Sequence, residues 1–547
     1  MDETAAKVLI LGAGPVGLTL ANELARRGVP PVILDKAPSI REVSKALILH
    51  VRTQEALSRV GIIDAAQAEA QPLTEVVVNA YGKFVGSWDL DGIDSPFPHP
   101  LIIGQNRTQH LLHEALEARG VTVAWNTEAV ELQAEEDGAL ATTRGADGVE
   151  RRIRADWVVG CEGSDSLVRR TAGFRFEGER YTGEQFIQAD CRIRWALPAG
   201  RSYLFLTADG YMMVIEMPGG VVRIFISLPD DSVRGAAEAA AQLGAAESAT
   251  EQPSLDEVAH HLTRLSGFAC DLADPIWLAR YRTSHRYADR FRRGPLIVAG
   301  DAGHVHVPIG GQGMNTGIQD AFNLGWKLAG VIRGELKPSV LDSYEPERHA
   351  VAEGLIRGTD FAYRGILHPS EVRQRAARLF GPFLIRSGRV QGFMRETLEE
   401  LSVAYPASPL NLDLGGAKGP APGERMLDAA LVRAGDLATT SLWAEAPSDA
   451  WTLAIFAADR DGGAAQAAAA DARARFGARL RSLTIWSAAA APAADEGVFL
   501  DVLGLAHDRY GAASPAVFAL RPDTVVAARA PLTAWSRLAD HLATIFA

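Results

Sequence analysis

Two glycine-rich stretches, far apart in the chain, carry residues that could hold one dinucleotide between them. Near the N-terminus stand Gly12, Gly14 and Gly17 at G-x-G-x-x-G spacing. Gly12 permits a tight turn, Gly14 lets the backbone approach a pyrophosphate, and Gly17 lets a helix pack closely on a strand. The helix that follows offers its first N–H groups to phosphate. Asp35, with Lys36 beside it, stands where an acid would accept hydrogen bonds from an adenosine ribose. Much later, Gly300 and Asp301 end another apolar run, and Asp301 can bind sugar-type hydroxyls of a cofactor chain. Pro308 is then followed by Gly310, Gly311 and Gly313, and a helix is expected to begin near Met314 or Asn315. Its N–H groups would face a ring lying against Gly313, Met314 and Asn315, and a flavin carrying negative charge near N1 suits a helix start.

These residues need elements to place them. Residues 7–11 read as a buried strand, 16–27 as a helix stopped by Gly28, and 30–34 as a second strand. Strand-like segments at 74–84 and 121–132 flank a helix at 108–119, and a strand at 155–159 runs into a segment that holds Glu162. From about 171 to 284 the pattern becomes that of an antiparallel sheet, with strands at 201–207, 211–216 and 221–228 and helices near 236–248 and 255–265. Such a sheet can wall a substrate cavity. A strand at 296–299 returns the chain to the nucleotide unit. Helices are expected at 355–380 and 386–401, a Pro/Gly-rich connection at 406–422, strands at 451–456 and 498–502, a helix at 464–483, paired strands within 518–529 and a last helix at 532–545.

In this order the motifs resemble those of the class A flavoprotein aromatic hydroxylases, the p-hydroxybenzoate-hydroxylase-like group. The similarity is closer to its longer branch of phenol and polyketide hydroxylases. It rests on Gly12-x-Gly14-x-x-Gly17, the segment from Gly160 to Arg169, the run GGQGMNTGIQDAFNLGWKLAG at 310–330, and Leu341-Asp-Ser-Tyr-Glu-x-Glu-Arg348. The resemblance implies an α/β fold: a Rossmann-like FAD-binding domain (1–170 and 285–400, with substrate-facing segments in 70–105) interleaved with an α+β substrate domain (171–284). A linker at 401–424 and a thioredoxin-like domain at 425–547 would complete it. It implies FAD as cofactor and NADPH or NADH as reductant, NADPH being the first expectation. The reaction would be hydroxylation of a phenolic or polycyclic aromatic substrate by O₂ through a flavin C4a-hydroperoxide. A Baeyer–Villiger-type modification of an aromatic polyketide is the enzymatic alternative. A non-catalytic flavin-binding regulatory or scaffold protein is the alternative of another class.

By the same resemblance Arg52 and Gln105 touch the FAD chain, and Glu162 stands where the family usually has Asp. Pro308 borders the flavin edge, and Tyr281 lies near the substrate hydroxyl, where it could accept or hand on a phenolic proton. The phenol hydroxylases of the branch carry a carboxylate where this chain has Leu47. His50 and His285 are the nearest ionisable candidates for its task, although such histidines more often serve local hydrogen bonds. No arginine presents itself as a carboxylate clamp, so a benzoate is not favoured over a phenol.

Composition narrows the classes. A chain of 547 residues calls for two or three domains, and a net charge of -12 argues against general affinity for nucleic acid or anionic membrane. No apolar run is long enough for a membrane span and no leader pattern opens the chain, so the cytoplasm is expected. Cys161, Cys191 and Cys270 form no metal spacing, and the absence of cysteine beyond Cys270 excludes disulfide exchange in the last domain. His304 and His306 alone make a poor metal site. The C-terminal unit is expected to serve packing or a homodimer.

Overall fold

The strand Glu3–Leu11 is wholly apolar at its end, from Val8 to Leu11, because it runs through the middle of a parallel sheet covered on both faces. A computed structural model describes residues 3–180, 184–229, 252–281, 284–305, 309–367, 371–457, 462–487 and 497–547. In its first sheet the order is Arg292–Arg293, Leu296–Val298, Glu150–Gly160, Glu3–Leu11, Val32–Leu34, Val123–Ala124, and all but the first of these run parallel. A hairpin, Glu128–Glu135 with Gly138–Arg144, pairs antiparallel onto Glu150–Gly160. The helices Pro15–Ala25 and Gln312–Ile332 pack against each other, which requires a glycine at the crossing. A Cβ on Gly325 would lie 2.5 Å from Cβ of Glu23.

The second sheet runs Cys270–Tyr281, Glu184–Trp195, Val221–Pro229, Gly210–Met217, Ser202–Thr207, Glu75–Ala80, Lys83–Asp89. Only the step from Ser202–Thr207 to Glu75–Ala80 is parallel. Strand alternation gives this sheet two apolar faces. One holds Ile187, Met212 and Ile224 against Val258, Leu262 and Leu265 of the helix Leu255–Ser266. That helix starts where Ser254 accepts the Glu257 N–H and stops at Gly267. The other face carries Phe186, Leu204, Tyr211, Ile215 and Phe225 and meets Leu47, Ile48, Leu73 and Ile102 from the first half of the chain.

The third sheet, of eight described strands, runs Leu412–Asp413, Val526–Pro531, Ala516–Leu520, Trp451–Ala457, Leu480–Ser487, Val498–Asp501, Ala430–Arg433, Thr439–Ser441. Its core takes in Ala465, Ala468 and Phe476 of the helix Gly462–Phe476 and Leu538 and Leu542 of Trp535–Ile545. The same core reaches Trp326 on the Gln312–Ile332 helix, whose ring meets Trp451 edge-on at 5.6 Å.

Several elements differ from the sequence expectation. The helix read over 464–483 ends at Phe476: Gly477 turns to φ 58°, and Leu480–Ser487 is a strand whose Leu483, Thr484 and Ile485 are buried. Within 355–380 the described residues are helical, in Tyr344–Leu367 and Glu371–Arg386. The strand-like segment at 74–84 is a hairpin of the second sheet. Two long strands of that sheet, Glu184–Trp195 and Cys270–Tyr281, were not expected, because charged residues interrupt their apolar pattern. The helix expected at 236–248 lies outside the described residues.

Candidate functional site

Register places four chemically distinctive loops at one edge. Leu11 is level with Leu34 and Gly160, and Gly160 with Val298. The parallel strands therefore deliver Gly12, Asp35, Glu162 and Asp301 at their carboxyl ends, where ligands gather in such sheets. Gly12 has φ 100°, and a Cβ there would lie 2.5 Å from the Cys161 carbonyl oxygen. A Cβ on Gly17 would lie 1.9 Å from the Gly12 oxygen. Gly14 is different: nothing lies within 4 Å of its Cβ position. It precedes a helix that starts with Pro15 and has no side-chain cap, so the first N–H groups open onto free space.

The acids round this space are held in different ways. Asp35 accepts from the Ala13 N–H at 2.7 Å and the Ala37 N–H at 2.8 Å, tying its loop to the glycine turn, while Lys36 is exposed. Glu162 accepts from the Val168 N–H at 3.0 Å through Oε1. Its Oε2 is buried with no partner among the described residues, and burial pushes the carboxyl's pKa up. Asp301 is solvent-exposed, yet the protein massed round it pushes its carboxyl upward, with His304 and Lys45 pulling the other way. Lys45 was not singled out in the sequence; only the fold brings it near Asp301.

At the start of the Gln312–Ile332 helix, Gly310 and Gly311 have φ of 72° and 71°, and no side chain caps the helix. Asn315 does not project freely. It donates to the Ile48 carbonyl at 2.9 Å and the Gly311 carbonyl at 2.8 Å, and accepts the His50 N–H at 3.0 Å. Gly313 and Met314 are half-buried beside it. His50 is buried, with Nε2 2.7 Å from the Gly310 carbonyl and Nδ1 3.3 Å from Glu399 Oε2. Burial opposes its charge, but Glu399, Glu400 and the Gly310 carbonyl outweigh that and raise its pKa to about 9. The imidazolium so favoured donates from both nitrogens. Glu399 also accepts the Val51 N–H at 2.9 Å, and Glu400 accepts from Thr316 at 2.9 Å and from Gln319. His50 thus braces the glycine loop from beneath.

Arg52 points elsewhere. Its guanidinium binds Glu55 at 2.6 Å, Thr524 Oγ1 at 2.8 Å and the Asp523 carbonyl at 3.0 Å, so it engages the C-terminal unit. Gln105 opens the helix Gln105–Ala118, with its N–H donating to Ser44 Oγ at 2.6 Å and its Oε1 accepting from Ala46 N–H at 3.2 Å. His285 is buried in the strand Ser284–Ala288, opposite Glu179. Pro308 and His306 lie outside the described residues.

On the second sheet Tyr281 stacks on Phe186 at 5.9 Å, beside the apolar face that meets Leu47. Gln188 takes the amide orientation in which its nitrogen donates to Tyr281 Oη at 3.1 Å and its oxygen accepts from Arg223 Nε at 3.0 Å. Arg223 is paired with Asp190 at 2.6 Å and donates to the Ser44 carbonyl at 2.7 Å. Burial pushes the Tyr281 phenol far above its ordinary pKa, so it keeps its proton and offers it as a donor.

Under the same helix lies a network of buried charges that the sequence did not disclose. Asp320 accepts from the Gly300 N–H at 2.9 Å and from Arg348 Nε at 2.6 Å, and lies 2.6 Å from His304 Nε2. Burial would raise its pKa, but Arg348 and His304 hold it below the usual carboxylate range. One turn on, Glu347 binds Lys327 at 2.7 Å, Arg521 at 2.7 Å, Asn323 at 2.6 Å and Ser408 at 2.6 Å. Asp320, Asn323 and Lys327, spaced three and four residues apart within an apolar helix, were the available clue.

Comparison with known proteins gives a family and a fold. Residues 5–359 match a family model described as an FAD binding domain. The chain is 34% identical over 365 residues to pentachlorophenol 4-monooxygenase of Sphingobium chlorophenolicum, covering 65% of this chain and 64% of that protein. It is 32% identical over 469 residues to 6-methylpretetramide 4-monooxygenase of Streptomyces rimosus, covering 84% and 81%. Among solved structures it matches the OxyS anhydrotetracycline hydroxylase from Streptomyces rimosus with a TM-score of 0.75 at 28% identity, over 99% of both chains. Among the described residues no cluster of three metal-ligating side chains occurs, and no helix is long and apolar enough to cross a membrane.

Proposed function

The chain belongs to the family of FAD-dependent aromatic and polyketide monooxygenases, and on that premise we propose how its own residues hold the cofactor and meet the substrate. The open space at Gly14 and the uncapped helix behind it fit a pyrophosphate-bearing cofactor. Gly12, Gly14 and Gly17 would hold the FAD pyrophosphate, Asp35 and Lys36 the ribose end, and Asp301 the ribityl chain. Gly313 and Met314 would lie along the flavin ring. Asn315 would act by fixing the loop, which its bonds to Ile48, Gly311 and His50 support. Bound FAD, reduced by NAD(P)H, supplies the activation of O₂ and delivery of one oxygen atom to an aromatic ring, the other leaving as water.

The protein's part is to orient and to exclude water. Tyr281 would donate its proton to the substrate oxygen, and Gln188, Arg223 and Asp190 hold it in that role. His50 is a brace of the loop, protonated and occupied at both nitrogens. Leu47, Phe186, Tyr211 and Phe225 form a wall suited to a phenolic or polycyclic ring. NADPH is the reductant proposed first. We read the C-terminal unit as thioredoxin-like: Leu480–Ser487 and Trp451–Ala457 run parallel, followed by the antiparallel Ala516–Leu520 and Val526–Pro531, with helices packed on them. Its role would be support of the helix that carries the glycine loop.

The observation that carries this reading is the delivery of Gly12, Asp35, Glu162 and Asp301 to one sheet edge. Purified protein should be yellow, should oxidise NAD(P)H faster with a suitable phenol, and should place one labelled oxygen from O₂ in the product. A colourless protein that cannot take up FAD overturns it.

A further inference from the structure

The helices Glu371–Arg386 and Gly388–Leu398 lie against the edge strand Lys83–Asp89 of the second sheet. They are fastened there. A Cβ on Gly381 would lie 2.8 Å from Val85, Gln391 donates to the Ser87 carbonyl at 2.9 Å, and Arg395 donates to the Asp89 carbonyl at 2.7 Å. Their outward face carries several exposed apolar residues. Leu379 is 73% exposed, Phe380 61%, Phe383 76% and Phe393 66%, with Phe84 of the edge strand at 62%. Single exposed apolar residues are ordinary, but a group of this kind marks an interaction surface.

The charges on this face select the partner. Exposed Arg375 precedes the apolar group by one turn, exposed Arg386 follows Phe383 by one turn, and exposed Arg389 precedes Phe393 by one turn. The two helices contain six arginines and two acids, Glu371 and Glu396, in a chain whose net charge is -12. A two-fold pairing of this face with itself would set arginine against arginine. The side chains stand out from a helix surface with guanidinium groups among them, as in helices that sink their apolar residues into a headgroup boundary.

We propose that the outer face of Glu371–Arg386 and Gly388–Leu398 docks reversibly on anionic phospholipid bilayers. The phenylalanines and Leu379 enter the interface, and Arg386 and Arg389 meet the phosphates. Apolar aromatic substrates dissolved in the bilayer would then reach the enzyme at the edge of its second sheet; that link rests on the function proposed above, whereas the docking does not.

The test uses the full-length, FAD-loaded protein sedimented with vesicles of phosphatidylcholine, alone or mixed with phosphatidylglycerol. Binding is expected to the mixed vesicles only, and high salt should release it. Phe380→Ser with Phe383→Ser, and separately Arg386→Gln with Arg389→Gln, should each weaken partition by about tenfold at unchanged FAD content. No sedimentation with mixed vesicles, or parental partition by both double variants, overturns the proposal. Should the parent form a dimer that the phenylalanine pair dissolves, and bind no vesicle, the face belongs to a second copy of the chain. Flavin content and hydroxylation in lipid-free buffer, read on the same preparations, keep a failure of docking distinct from a failure of the enzymatic reading.

Discussion

The helix Gln312–Ile332 serves two regions that treat polar groups in opposite ways. At its start, and along the adjoining sheet edge, polar groups are left open: two uncapped helix starts and the empty space beside Gly14. Two to four turns further on, Asp320, Lys327, Glu347, Arg348 and Arg521 are buried, and each has charged partners within hydrogen-bond reach. Open groups await a ligand; saturated groups lock elements together. Substitutions in the first region should change cofactor and substrate binding while sparing the fold. Those in the second should do the reverse.

The largest effect is expected for Arg348→Met, which leaves the buried Asp320 charge with only His304 and the Gly300 N–H as partners. A loss of about 3–5 kcal/mol is expected in urea unfolding, and a loss below about 1 kcal/mol would break the contrast. Gly14→Val should leave the unfolding of the FAD-free protein near that of the parent and weaken FAD affinity by more than tenfold, or over about 1.4 kcal/mol; titration of the apo-protein with FAD decides it. Asp301→Ala should lower FAD affinity by about tenfold, and unchanged affinity would remove Asp301 from the cofactor site. Tyr281→Phe should keep FAD and slow product formation several-fold; a parental product rate would end its proposed role.

The last effect is confined by pH and sharpens the boundary between the regions. The His50 pKa is raised in the folded protein, to about 9 from the ordinary 6.5. Its contribution is therefore fully present below about pH 6.5 and is lost as pH rises through 9. The parent's thermal midpoint should fall across that interval more than that of His50→Gln. Parallel curves would show that the Glu399 pairing does not carry the charge.

What the sequence disclosed follows the same division. The candidate cofactor edge was legible because each part is contiguous: a strand, its glycine turn and the acid that ends the next strand lie within 7–35, and Gly300 to Asn315 lie in one run. The saturated region was not, because its pairs join distant segments. Glu399 meets His50 across 349 positions, and Arg521 meets Glu347 across 174. Arg52 shows the limit within one residue: the sequence marks it as functional, yet its partners, Asp523 and Thr524, come from the far end of the chain. Leu480–Ser487 was misread for a local reason, since the alanine-rich helix before it masks where the period changes from helix to strand.

Arg521 and Thr524 sit on the hairpin between two strands of the third sheet, and they fasten Glu347 and Arg52, which lie far earlier in the chain. The last hundred or so residues are thus a keystone rather than an appendage. Removing the chain beyond 422 would strip Arg521 from Glu347 and bare the Trp326 ring. A protease should accordingly find no resting point that leaves the cofactor-binding part intact, and the two halves of a nicked chain should stay together until both unfold.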